Sequence, residues 1–165
     1  VDSRYKVALM PQRGRLNWNF PITVEGLVAL GRVSHSKSTC CDLEAALQRV
    51  GISALAKRRL DSLSGGQQQK ALLAKTLMTP AKIFLLDEPC ASLDPPAREE
   101  FLLLMRQISD AGLSVVISSH DWGSSLNSYD KVIVLNTTVL ASGTPDLVRE
   151  KLDSISCMHE NYYHG

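Results

Sequence analysis

Asp87 and Glu88 stand side by side at the end of a short apolar run, Ile83-Phe-Leu-Leu86. A run that short fits a strand buried on both faces of a parallel sheet better than it fits a helix. The carboxyl ends of such strands are where open α/β sheets receive ligands. Two carboxylates there suit Mg²⁺-assisted hydrolysis. Asp87 can hold the metal, directly or through its water, and Glu88 can orient and deprotonate an attacking water. Taken alone, the pair also fits a loop start with a helix-capping carboxylate. Three further stretches carry groups of the right type. Ser64-Gly65-Gly66-Gln67 opens a helix, with Ser64 as N-cap and glycines that let a ligand approach the backbone. Free N–H groups at a helix start attract anions. His120 follows the apolar stretch Leu113 to Ser119 and shares an edge with Asp87 and Glu88 if the strands are parallel. Gln12 follows Val7-Ala-Leu-Met10 and Pro11. Each of these also has a bland reading: a polar helix start, a solvated histidine, a surface glutamine.

Positioning these groups requires strands that end together, with helices between them. Val7 to Met10 reads as a strand and residues 11 to 40 as irregular, with an exposed loop at Ser34 to Thr39. Asp42 caps an amphipathic helix to Val50, ended by Gly51. Ala54 to Arg59 fits a short helix, and Gly66 to Met78 a longer one. Asp94-Pro95-Pro96 starts another, with Phe101, Leu104 and Ile108 on one face and Gly112 beyond its end. Asp121 to Asn127 reads as a helix, and Lys131 to Leu135 and Val139 to Ser142 as strands joined by a turn near Asn136. A last helix runs from Thr144 or Pro145 to Leu152, and the tail from Asp153 is expected to fray. Strands alternating with helices after residue 80 indicate an α/β fold with a mainly parallel sheet.

The order Gln12, Leu63-Ser-Gly-Gly-Gln67, Ile83 to Glu88, Ser92-Leu93-Asp94 and His120 resembles the nucleotide-binding domain of ABC transporters. In that family these are the Q-loop, the signature, Walker B with its catalytic glutamate, the D-loop and the switch histidine. The resemblance spans roughly residues 6 to 145. It implies an incomplete P-loop NTPase fold with residues 11–63 as a helical subdomain, 64–152 as half of the catalytic core and 153–165 as a tail. It implies ATP and Mg²⁺ as cofactors, with Asp87 and Gln12 at the metal and Glu88, His120 and Gln12 in catalysis. Ser64, Gly65, Gly66, Gln67 and Asp94 would bind ATP held mainly by a second copy of the chain. It also implies a homodimer, membrane permease subunits as partners and a peripheral place on the cytoplasmic face of the membrane. Pro11-Gln-Arg13, Trp18-Asn-Phe-Pro-Ile-Thr-Val24 and Gly31-Arg32 resemble the ATPases of manganese, zinc and iron importers. Trp18, Phe20 and Ile22 form an apolar patch that can receive a coupling helix, or can pack the helical subdomain instead.

The sequence departs from the family in one important respect. No G-x-x-x-x-G-K-[ST] loop is present. The resemblance implies a start made of a short antiparallel sheet, an aromatic that stacks on adenine and that loop with its Lys, and about 60 residues would be needed to hold them, on the order of half a small domain. The 165 residues are therefore expected to be an N-terminally truncated unit, inactive by itself. A non-catalytic truncated fragment is the alternative reading. A DNA-repair-type ATPase of the same superfamily is disfavoured: only about 50 residues separate Gln12 from Leu63, without sustained heptads. A net charge of +1 gives no field for nucleic acid. No apolar run approaches the length of a membrane-spanning helix. The four cysteines match no zinc spacing, which suits a reducing compartment.

Overall fold

A computed structural model describes residues 7–32, 42–91, 93–120 and 124–160. The chain forms two compact units, residues 1–120 and 121–165. In the first unit, strands β1 (Val7–Met10), β2 (Ile83–Asp87) and β3 (Ser114–Ser118) make a parallel sheet in the order β1-β2-β3. The register aligns Met10 with Leu86, and Leu86 with Ile117. All three strands therefore deliver their carboxyl ends to one edge. Each strand crosses to the next through helical segments, as parallel pairing demands.

Side-chain alternation divides the sheet into two unlike faces. Ala8, Met10, Phe84 and Leu86 are buried in one apolar cluster with Leu72 and Leu73 of α3 (Gly65–Leu77) and Phe101, Met105 and Ile108 of α4 (Pro95–Asp110). On the opposite face Leu9 is 64% exposed, Val116 55% and Leu85 37%. The expectation that β2 is buried on both faces is thus corrected. The helices described in this unit cover only the side to which Phe84 and Leu86 point.

The helical region contains more structure than its sequence suggested. Residues 11–32 are not irregular: α1 (Val24–Ala29) lies among them, flanked by single 3-10 turns at Arg13–Arg15 and Leu30–Arg32. Thr23 caps α1 by accepting from Gly26 N at 3.2 Å, and Val24, Leu27 and Val28 are buried. Those apolar positions lie at i, i+3 and i+4, a helical spacing. α2 (Leu43–Arg49) is capped by Asp42 and followed by Gly51 at φ +70°, a left-handed value that glycine adopts without steric penalty. The short helix expected over Ala54 to Arg59 shrinks to a 3-10 turn, Ser53–Leu55. Arg59 instead bridges Thr23 and forks onto Asp61, whose carboxyl is held below its usual range by that hydrogen bond. The Ser34–Thr39 loop and Cys40-Cys41 lie outside the described residues.

The second unit pairs β4 (Val132–Asn136) with β5 (Thr138–Gly143) in antiparallel register, turning at Thr137 with φ +56°. The helix expected over Asp121 to Asn127 is a 3-10 segment, Ser124–Ser128, with residues 121–123 outside the description. α5 runs from Pro145 to Glu160, past the expected end at Leu152. Neither Gly nor Pro occurs between Leu152 and Glu160, so nothing local stops the helix. Val148 of α5 closes a small core with Val134 and Ala141.

Candidate active site

Glu88 is the centre of the site. It leaves β2 with φ +45°, a left-handed value uncommon outside glycine. Pro89 follows, and a residue before proline is disfavoured in the right-handed helical region. A tight turn closes behind it, with Ala91 N donating to Glu88 O at 3.3 Å. This backbone directs the Glu88 carboxylate across the sheet edge. Gln12 Nε2, from the end of β1, donates to Glu88 Oε2 at 2.8 Å. His120 Nδ1, just beyond β3, lies 3.4 Å from Glu88 Oε1. Three residues spread over 108 positions of sequence thus meet at one carboxylate because three parallel strands end in register.

Asp87 holds the last position of β2, paired with Ser118. The Ser118 hydroxyl donates to Asp87 Oδ1 at 2.8 Å and accepts from Glu88 N at 2.9 Å. Ser118 did not stand out in the sequence, where a serine at a strand's end carries no signal of its own.

The start of α3 forms a second cluster. Ser64 Oγ accepts from Gln67 N at 3.4 Å, and Gln67 Oε1 accepts from Ser64 N at 3.1 Å, a reciprocal capping box. The described side-chain hydrogen bonds of Ser64 and Gln67 join these two residues and do not reach Glu88. Gly66 faces Leu93, whose Cδ2 would lie 3.5 Å from a Cβ placed on it. Asp94 caps α4 by accepting from Ala97 N at 2.9 Å. Lys70 pairs with Glu100 of α4 at 2.8 Å.

Arg13 joins the two clusters. It follows Gln12, and its Nε donates to Gln68 Oε1 at 2.7 Å. Gln68 is buried in the first turns of α3 and donates to Leu60 O at 3.2 Å. A Cβ on Gly65 would lie 3.6 Å from Arg13 Cζ, so the guanidinium covers that glycine. Arg13 Cζ also lies over the Trp18 ring, 6.0 Å from the centroid, and Trp18 Nε1 donates to Arg13 O at 3.0 Å. Trp18 and Ile22 pack against the core, whereas Phe20 stays exposed. Arg13 was legible only as part of a Pro-Gln-Arg triplet; its reach to α3 was not.

The donor set has a specific bearing on metals. No group of three or more His, Cys, Asp or Glu capable of holding a metal occurs among the described residues. A dedicated metal cage is not what these residues form. One carboxylate and one amide oxygen fit Mg²⁺, which keeps several waters and takes further ligands from substrate phosphates.

A parallel sheet with helices on one face gathers a carboxylate between Gln and His at its carboxyl edge, where open α/β sheets receive ligands. The profile of the ABC transporter family matches residues 2–91. The chain belongs to that family. It is 32% identical to the manganese transport system ATP-binding protein MntB of Halalkalibacterium halodurans, covering 88% of this chain and 63% of that protein. It is 35% identical to the zinc import ATP-binding protein ZnuC of Cereibacter sphaeroides, covering 87% of this chain and 58% of that protein. The chain thus spans less than two thirds of the length of either. Among solved structures it resembles a metal-chelate type ABC transporter in an inward-facing conformation, with TM-score 0.74 and 28% identity over 90% of this chain and 63% of that one. No helix among the described residues is long and apolar enough to cross a membrane.

Proposed function

We propose that this chain is the greater part of an ATP-hydrolysing subunit of a divalent-metal importer, for manganese, zinc or iron. The observation that carries the proposal is the Glu88 carboxylate held between Gln12 and His120 at the carboxyl edge of a parallel sheet. In this reading Glu88 accepts a proton from the attacking water, while Gln12 and His120 fix its orientation. Asp87 and the Gln12 amide oxygen hold Mg²⁺, which offsets charge on the phosphates when bound. Residues 11–63 act as the helical subdomain, and 64–152 as half of the catalytic core. Ser64, Gly65, Gly66, Gln67 and Asp94 meet ATP carried by a second copy of the chain. The exposed Phe20 side of the helical subdomain meets a membrane permease, which sets the subunit on the cytoplasmic face of the membrane.

Without a Lys-bearing phosphate loop in its sequence, residues 1–165 are expected to lack turnover alone. The proposal is therefore tested in a full-length ATPase, in which residues 1–165 follow the phosphate-loop segment that the family carries ahead of its Q-loop. Glu88→Gln there should lower the hydrolysis rate about 10² to 10⁴-fold and leave ATP binding intact. Turnover at the unsubstituted rate would remove Glu88 from the chemistry.

A further inference from the structure

We propose that Ser118 is a positioning residue for the hydrolytic site, acting on both acidic residues through a single hydroxyl. The inference rests on the reading of Glu88 and Asp87 given above. Glu88 occupies a left-handed backbone conformation that is costly for a side chain of its type, at φ +45°. Such a conformation persists only where its surroundings over-determine it. Pro89 after it and the turn hydrogen bond from Ala91 N act on its carbonyl side. On the amide side its described partner is the Ser118 hydroxyl, at 2.9 Å. The same oxygen carries its own proton to Asp87 Oδ1, at 2.8 Å.

This arrangement uses all the directionality a hydroxyl has. A serine hydroxyl donates once and accepts through its lone pairs. Here the donation meets a carboxylate, a charge-assisted bond that fixes which way the proton points. That leaves the lone pairs turned to the Glu88 N–H. The register makes it possible: Asp87 and Ser118 are direct partners across β2 and β3, so their side chains share one face. One residue therefore fixes the rotamer of Asp87 and the backbone of Glu88 together. The Glu88 carboxylate reaches Gln12 and His120 only from that backbone.

Alanine at 118 removes both bonds. Glu88 can then relax toward ordinary backbone angles, and its carboxylate withdraws from Gln12 and His120. Misplacement of a catalytic group by about 1 Å costs on the order of 10²-fold in rate.

The test uses the full-length ATPase defined above, with Ser118→Ala, Ser118→Thr and Glu88→Gln measured side by side. Ser118→Ala should lower kcat about 10-fold to 100-fold, with the melting temperature close to the parent's. Ser118→Thr keeps the hydroxyl on a residue suited to strands and should restore most of the rate. A merely structural serine would shift the melting temperature and leave kcat alone. The inference is overturned if Ser118→Ala hydrolyses ATP at the parental kcat while Glu88→Gln does not, or if Ser118→Thr is as slow as Ser118→Ala. Parental turnover in Glu88→Gln would instead overturn the assignment of Glu88, and the role of Ser118 with it.

Discussion

Substituting Gly31 by alanine probes how closely the helical region is seated on α3. Gly31 is buried in the 3-10 turn after α1, against the last turn of α3. A Cβ added there would overlap the carbonyl oxygen of Lys75 and lie 2.7 Å from Met78 Cβ. Carbon–carbon contacts are favourable at about 3.5–4.0 Å, so the two segments must part by about 1 Å. The obstacle is backbone, which no rotamer change can clear. Overpacking of this kind costs about 1–3 kcal/mol, and a backbone clash belongs in the upper half of that range. Gly31 does not have a positive φ, so alanine recovers about 0.4–1 kcal/mol from the unfolded chain. The net expectation is a loss of about 1–2.5 kcal/mol, or about 2–10 °C in melting temperature for a domain of this size. Gly14→Ala is the control, because nothing lies within 4 Å of the added carbon. It should be neutral or slightly stabilising. Urea unfolding of the full-length ATPase, with equal slopes for both variants, measures the difference directly. Equal midpoints for the two variants would refute the close approach of Gly31 to α3.

Three other outcomes are expected. Arg13→Ala removes the bond to Gln68 and the cover over Gly65; in the full-length ATPase it should reduce hydrolysis several-fold, with Arg13→Lys failing to rescue because a lysine cannot bond Gln68 and face Trp18 together. Rescue by lysine would show that charge alone matters. Ser64→Arg breaks the capping box and puts a charge at the proposed shared nucleotide, so hydrolysis should stop while each subunit still binds ATP; normal hydrolysis would contradict a site shared between two copies. Residues 1–165 alone expose Leu9, Leu85 and Val116 on one sheet face, and should bind a hydrophobic dye, self-associate and show no turnover. A monodisperse sample with a sharp near-ultraviolet melt would mean that the open face is tolerated.

Local chemistry was legible where a short stretch decides its own structure. Asp42, Ser64 and Asp94 cap the helices that follow them, because a cap needs only a side-chain oxygen and the N–H groups two or three residues on. Gly51 and Gly112 mark helix ends through positive φ, a property of the residue itself. The motif order placed Gln12, Glu88 and His120 in one family before any geometry was known. Where the local signal was present but weak, it was missed: Thr23 and the Val24, Leu27, Val28 spacing announce α1 within residues 11 to 40, which read as irregular.

Tertiary structure decided the rest, since it depends on residues far apart in the chain. That β2 is covered on one face only follows from which helices pack on the sheet, and an apolar run reads the same either way. That Glu88 meets both Gln12 and His120 follows from three strands ending in register. The hydroxyl of Ser118 becomes meaningful only because β3 lies beside β2 with Ser118 opposite Asp87, a register no local pattern encodes. Composition and spacing name the groups able to do chemistry; the sheet's pairing brings their atoms within hydrogen-bonding distance.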